Sequence, residues 1–528
     1  MPGLQGLYRT ASIRRIEASW LEQSPPGTLM ARAASAVADQ ATGMLRRMPP
    51  QTFVLLLVGP GNNGGDALLA GRILSGRGFA VRACALGPVL HVPPQAREAA
   101  AAWQAWHEAG LSLQAMPEDS GSLSEDPALV IDGLFGIGLS RALPAAVAPV
   151  LDWIRRVRAP VLAIDVPSGL DADTGAAVED GRLLPATITI TMIADKPGLH
   201  TGQGRIASGQ VIVAPLTDAA DDIVTEKVGG GQSPLQARGV RADGILLDAA
   251  AIRRLLPARA LDAHKGTGGD VLVIGGRLGM AGAARLAARG ALGAGAGRVF
   301  IAGGHGTADA ADPGRPEIIR ASITPTDPLP ARAKVVSIGP GLGQDREAAQ
   351  YLRAVTASPA VMVCDADALN LLAASPDLTS QVRRRRGATI LTPHPLEAAR
   401  LLMWTTARVQ HDRIGAALEL ARRFKAVVAL KGAGTVVADA QGNFAVNGSG
   451  NPVLATGGTG DVLAGIIAAL AAGPLADSAS AAACAGVWLH GAAGDHAARV
   501  IGPAGVPAGS IADSLPAVFG LMAEYNHA

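Results

Sequence analysis

Side chains able to do chemistry cluster around glycine-rich turns in this 528-residue chain. The first such turn is Asn62-Asn63-Gly64-Gly65-Asp66, which follows the apolar run 53–58. Glycine there lets the backbone approach a ligand, and the N-terminus of a following helix favours an anion such as a pyrophosphate. The spacing is neither the G-x-G-x-x-G nor the Walker A pattern. Further acids stand at the ends of apolar runs: Asp132 in residues 131–141 and Asp165 in residues 163–175. A lone strand-end Asp is as readily a helix N-cap. Ligands of open α/β sheets bind at the carboxyl ends of strands, so these turns are expected to converge on one crevice. Asn63, Asp132 and Ser168 are oxygen donors suited to a hard monovalent or divalent cation.

The second such region is residues 447–470, where Gly457, Gly458 and Gly460 precede Asp461. From Val462 to Gly473 the chain is apolar but too short to span a membrane, and reads as a buried helix. Consecutive backbone N–H groups at its start make an anion hole for a migrating phosphoryl group. Asp461 stands where it can accept a proton from an attacking hydroxyl. Companion turns are HKGTGG (264–269), IGPGLG (338–343), CDADALN (364–370), TPHPLEA (392–398) and LKGAGT (430–435). Lys431–Thr435 suits a nucleotide phosphate, and His394, beside stiffening prolines, is read as a ligand contact.

Holding such turns in place requires strands that alternate with helices. Apolar strands are expected at 53–58, near 80–86, and ending at 129–132, 161–165 and 187–192, with helical stretches at 4–20 and 67–77. A second alternating series has strands near 271–274, 298–302, 335–338, 361–364, 388–391, 427–430 and 435–438. Buried strands alternating with helices imply mostly parallel sheets, so the fold class is α/β, as two three-layer domains. The polar segment 216–242, with Gly229–Gly231, places the boundary: a domain over 1–218, a linker over 219–242 and a domain over 243–528.

Composition agrees and excludes other classes. Hydrophobic residues make up 49% of the chain and charged residues 17%, which supports large buried cores and argues against global disorder. The net charge of +2 speaks against a nucleic-acid partner. The Arg383–Arg386 run reads as a solvated helix end. Cys84, Cys364 and Cys484 form no paired pattern, so a reducing compartment is expected, with each cysteine a small apolar residue of a strand or helix. With no apolar signal core and no membrane span, the expected location is cytoplasmic.

The motifs together carry a resemblance. Residues 53–215 resemble the NAD(P)HX epimerase domain, through NNGGD, DGLFGIGLSR, DVPSGLDADTG and TMIADKPGL. Residues from about 245 to 520 resemble the ADP-dependent NAD(P)HX dehydratase of the ribokinase-like superfamily. The resemblance implies a Rossmann-like epimerase domain followed by a ribokinase-like domain. It implies substrate contacts at Asn62, Asn63, Gly64, Gly65 and Asp66, and at Gly136, Ile137, Gly138, Leu139, Ser140, Arg141 and Ala142. Asp165 would touch the nicotinamide ring, and Asn63, Asp132 and Ser168 would hold potassium. In the second half Ala283, Gly341, His394 and Asp461 would contact the hydrated dinucleotide. Lys431, Gly432, Ala433, Gly434, Thr435 and Gly460 would contact the adenine nucleotide. Ala67, Ile137, Gly268 and Leu396 depart from residues common in the family.

The implied partners are the small molecules NADHX, NADPHX and ADP, with Mg²⁺ for the phosphate charge. Neither nucleic acid nor membrane is implied, and the chain is expected to form a homo-oligomer. Hydration leaves a C6 hydroxyl beside the ring nitrogen. That hemiaminal loses its stereochemistry by reversible opening, with Asp165 as the expected base. Phosphorylating the same hydroxyl, with Asp461 as base, converts it into a good leaving group. Other readings stay open on the residues alone. One is a ribokinase-like kinase of a small hydroxylated metabolite with an accessory first domain; another is a first half that only binds.

Overall fold

The computed structural model describes residues 5–46, 53–119, 125–216, 240–258, 260–303, 312–326, 329 and 333–524. The chain divides into two compact units, Met1–Asp243 and Gly244–Ala528. Most of the segment expected as a linker, 219–239, lies outside the described residues. Val240 and Ala242 pack on the core of the first unit.

In the first unit the sheet order is 113–115, 80–85, 53–58, 129–133, 161–164, 188–192, 210–214, with every neighbouring pair parallel. Chain order reverses between strands Phe53–Val58 and Leu129–Gly133, which opens a crevice beyond their carboxyl ends. The FVLLLV run is apolar throughout because both faces of its strand are covered. Val54, Leu56 and Val58 enter the core on one side, and Phe53, Leu55 and Leu57 the core on the other. Helices Thr10–Gln23, Thr28–Leu45 and Asn62–Gly76 supply residues to the first core, and Ala148–Val157 to the second. Removing Leu56, which is fully buried, to Ala would cost about 2–5 kcal/mol.

In the second unit the order is 244–247, 444–447, 436–438, 427–430, 389–391, 361–364, 335–338, 270–274, 298–302, 318–320. Strand Val436–Ala438 runs antiparallel to both neighbours, and the remaining pairs are parallel. The apolar run near the end of the chain is the buried helix Thr459–Ala472. It packs on Ala281–Gly293 within the core.

Several expectations need correction. The helix expected at 67–77 spans Asn62–Gly76, so the Asn-Asn-Gly-Gly-Asp segment is itself the start of the helix. A Cβ at Gly64 would lie 2.0 Å from the Gly59 carbonyl oxygen, so only glycine permits that start. The first helix covers Thr10–Gln23 rather than 4–20, because Gly6–Leu7 is extended. Short strands Leu113–Ala115, Gln210–Ala214, Gly244–Leu247, Ile318–Arg320 and Phe444–Asn447 carried too weak a pattern to be expected. The arginine run is not wholly solvated. Arg385 turns inward to donate to the carbonyls of Val355 and Ala360, and burial pushes its pKa down to about 10. Cys84 and Cys364 are buried in strands and Cys484 lies in a helix, as expected. No helix among the described residues is long and apolar enough to cross a membrane.

Candidate active sites

A cavity of about 450 Å³ opens over the crevice of the first unit. Asn62, Asn63 and Asp66 line it from the N-terminal end of their helix, Gly136–Leu139 from the next strand end, and Asp165 from the one after. The three expected turns therefore converge.

Asp165 is held in a tight turn with φ +68°, in which the Val166 N–H donates to the Ile164 carbonyl at 2.8 Å. Ile193, at the end of the neighbouring strand and also lining the cavity, repeats this turn with φ +72°. A β-branched residue in that region is strained, and such strain gathers at sites that over-determine it. Asp165 Oδ1 pairs with Lys196 Nζ at 2.8 Å, and Oδ2 accepts from the Ile137 N–H at 3.3 Å. Lys196 is fully buried and also donates to Thr191 Oγ1 and the carbonyls of Met192 and Ala194. A Cβ at Gly136 would lie 2.9 Å from both Asp165 Oδ2 and Asn63 Oδ1, so glycine keeps these groups open to one another.

Asp132 and Ser168 lie beneath, fully or almost fully buried. Ser168 Oγ is 2.6 Å from Asp132 Oδ1 and 3.3 Å from the Phe135 carbonyl oxygen. Its single proton can serve only one of these acceptors. Burial raises Asp132 to about 6, and hydrogen bonds from Ser168 and Leu134 only partly offset it. A buried carboxyl with surplus oxygens around it suits a cation with hard-donor preference.

Other expected residues stand apart from the cavity. Gly64 and Gly65 are buried in the helix start, and Ser140 and Arg141 are exposed. The Ala142 N–H donates to Glu179 Oε2 at 3.0 Å. Sequence reading missed the acids that enter from outside the strand ends: Glu17 on helix Thr10–Gln23 and Glu98 on helix Arg97–Glu108 both line the cavity. Nothing in their local pattern separates them from ordinary surface acids.

In the second unit, strand ends again deliver the polar groups. Lys431 follows strand Val427–Leu430, and its Nζ donates to Asp365 Oδ1 at 2.6 Å and lies 3.8 Å from Glu397 Oε2. A Cβ at Gly460 would sit 3.4 Å from the same Nζ. The glycine-rich helix start and the Lys431 turn therefore face one another. Burial, then the charge of Asp365, raises Asp461 to about 7, while Lys431 opposes this. Burial likewise raises Glu397 to about 7. An acid poised near neutrality can accept a proton under working conditions.

His394 caps helix Pro395–Leu402. Its Nδ1 accepts from the N–H groups of Leu396 and Glu397, which leaves Nε2 to carry the proton toward Glu397 Oε1 at 3.2 Å. Burial and the nearby Lys431 lower its pKa. Ala283 and Gly341 are neighbours, since a Cβ at Gly341 would lie 3.3 Å from that of Ala283. Gly432 and Ala433 are exposed and Gly434 is buried; Thr435 Oγ1 donates to the Gly432 carbonyl at 3.2 Å. Behind this turn sits Arg413, almost fully buried, donating to the carbonyls of Leu430 and Lys431 at 3.1 Å each. Arg413, Asp365 and Glu397 were missed as a unit because they are distant in sequence. The loop before the glycines is laced to helix Ala479–Val500: Asp495 accepts from the Gly450 N–H at 2.9 Å and Asn451 Nδ2 at 2.7 Å.

The chain is similar to known proteins over most of its length. Residues 26–198 match the family described as YjeF-related protein N-terminus, and residues 271–517 the family described as NAD(P)H-hydrate dehydratase. The bifunctional NAD(P)H-hydrate repair enzyme Nnr of Coxiella burnetii is 37% identical over 95% of this chain and 96% of its own. Its Escherichia coli counterpart is 37% identical over 88% of this chain and 85% of its own. The solved ADP/ATP-dependent NAD(P)H-hydrate dehydratase of Bacillus subtilis, co-crystallised with ATP and Mg²⁺, is 30% identical. It covers 52% of this chain and 98% of its own, with a TM-score of 0.48.

Proposed function

The chain belongs to the bifunctional NAD(P)H-hydrate repair enzymes, and from that premise we propose how its two crevices divide the work. The first unit exchanges the R and S epimers of NADHX and NADPHX, and the second dehydrates the S epimer at the expense of ADP.

In the second unit the hydroxyl on C6 attacks the β-phosphoryl of ADP, and Asp461 takes its proton. AMP leaves, and the new C6 phosphate departs as the ring nitrogen donates its lone pair. Loss of a proton from C5 then restores the reduced ring. The N–H groups at the start of helix Thr459–Ala472 and the Lys431 ammonium hold the phosphoryl charge during transfer. Mg²⁺ fits as a partner of the nucleotide's own phosphates, which it neutralises. Lys431–Thr435 and Gly460 take the nucleotide; Ala283, Gly341 and His394 take the hydrated dinucleotide. The observation that carries this reading is the meeting of Lys431 with the Gly460–Asp461 helix start.

In the first unit Asp165 removes the hydroxyl proton of the hemiaminal. Potassium fits Asn63, Asp132 and Ser168, where it would offset the buried Asp132 and fix the strand ends. The test is a balance sheet of products. With NADHX and ADP, one AMP and one inorganic phosphate should appear for each NADH, whereas a small-metabolite kinase would accumulate a phosphorylated product. Asp461→Asn should abolish NADH release and leave epimer exchange intact. A variant dehydrating at the wild-type rate would refute the assignment.

A further inference from the structure

We propose that Asp66 is the general acid of epimer exchange, a neutral carboxyl that donates a proton to the opening ring while Asp165 removes the hydroxyl proton. The inference rests on the epimerase reading of the first unit and assigns the second half of its proton chemistry.

Asp66 is the fifth residue of helix Asn62–Gly76, with 7% of its surface exposed, and it lines the cavity. Among the described residues no backbone or side-chain group bonds its carboxyl. A buried carboxyl without a partner is costly unless something in the cavity completes it. Asp165 is built in the opposite way: Lys196, itself fully buried, pairs with it at 2.8 Å, and the Ile137 and Met192 N–H groups donate to it. The same cavity thus holds a carboxylate with a dedicated cation and a carboxyl with none.

Burial and the neighbouring acids favour the neutral form of Asp66. Helix Thr10–Gln23 presents Glu17, helix Arg97–Glu108 presents Glu98, and the strand end presents Asp165. Helix Thr28–Leu45 contributes only Leu29, Met30 and Ala33 to the lining. Arg14 is the cation of that lining, and its charge acts to lower Glu17. Asp132 lies below, committed to Ser168 and Leu134. Burial first, then the charges of Asp165, Glu98 and Glu17, hold Asp66 well above the usual carboxylate range. A carboxyl held neutral beside one paired with a lysine gives acid–base catalysis a proton donor and an acceptor in the same cavity.

The proton accounting closes. Asp165 takes the proton of the C6 hydroxyl, C6 becomes an aldehyde, and the C6–N1 bond breaks. The electron pair spreads from N1 through the conjugated carboxamide, and Asp66 supplies the compensating proton there. Rotation about C5–C6 presents the other face of the aldehyde. Reclosure returns one proton to Asp66 and removes one from Asp165, so the enzyme is restored and only the C6 configuration has changed.

The experiment uses the full chain without nucleotide, so that dehydration is silent, and follows exchange between the R and S epimers of NADHX. Asp66→Asn, which keeps a hydrogen-bond donor but no transferable proton, should lower kcat by about 100-fold or more with KM nearly unchanged. The wild-type kcat should fall on the alkaline side as Asp66 ionises, and Asp66→Asn should lose that limb. An Asp66→Asn rate equal to wild type would overturn the proposal. So would a wild-type profile flat up to the pH at which the protein unfolds, a result that needs no variant. If the wild type itself does not accelerate exchange, the epimerase reading fails, which is a separate outcome.

Discussion

Replacing Asp461 with Asn should make the second unit more stable while destroying its chemistry. Burial, with Asp365 nearby, lifts this carboxyl from an ordinary 3.8 to about 7. At about 1.4 kcal/mol per pH unit, that interval corresponds to ~4 kcal/mol of opposition to the ionised form. Solvent screening at a partly open site brings a working figure nearer ~2 kcal/mol. The sign follows from proton counting. Between about pH 4 and pH 7 the folded protein retains a proton that the unfolded chain has lost, so its stability falls as pH rises through that window. The Asn variant has no such slope. Its stability advantage over wild type should therefore grow from pH 4 to pH 7 by ~2 kcal/mol and level off above. Any fixed cost of burying an amide cancels in that comparison. Calorimetry of both full-length proteins across this range, following the transition that ADP raises, reads the difference as roughly 4 °C or more. A constant gap at all pH values would show that Asp461 is not held protonated by its surroundings. The reasoning about its poise as a base would then fail.

Other consequences follow from particular contacts. Lys196→Met strands Asp165 beside an apolar chain and should destabilise the first unit by about 3–5 kcal/mol, seen as a lower urea midpoint for that unit. An unchanged midpoint would mean the ion pair contributes nothing net. Asp495→Ala leaves the Gly450 N–H and the Asn451 amide without acceptors, and the loop they order leads into the glycine-rich start of helix Thr459–Ala472. The KM for ADP should rise by about tenfold, consistent with the loss of 1–3 kcal/mol for unsatisfied donors, while epimer exchange stays unchanged. Replacing potassium by lithium in the buffer should slow epimer exchange and leave dehydration of pure S epimer untouched. Equal rates in both salts would argue against a cation at Asp132 and Ser168.

How much of this was legible in the sequence depended on whether the signal was local. Strand Phe53–Val58 showed itself because burial on both faces forces a continuous apolar run. The turns at Asn62–Asp66, Asp165 and Gly457–Asp461 were visible because close backbone approach demands glycine, and chemistry demands the acid beside it. The helix start at Asn62 was misplaced since glycines usually interrupt helices. Here the Gly59 carbonyl leaves room for nothing else at Gly64. Glu17, Glu98 and Arg413 were not visible as site residues, and Asp365 stood in a quoted turn without a role of its own. Their meaning comes from which strand ends and helices the topology brings together. Lys196 stood within a quoted motif, yet its pairing with Asp165 needed the tight turns at Asp165 and Ile193 to be seen. Arg385 misled because a run of arginines resembles a solvated face, while the carbonyls of Val355, in the last turn of its helix, and Ala360 draw one of them inward.

The most direct test of the whole account is a single recovery curve. An equal mixture of R and S NADHX is given to the full chain with ADP, and absorbance of the reduced nicotinamide is followed. The two crevices as described should return all of the NADH at a rate well above spontaneous epimer exchange. A rapid rise that stops at half, then creeps at the uncatalysed rate, would show that the first unit does not perform the exchange assigned to it. No rise at all would contradict the assignment of the second.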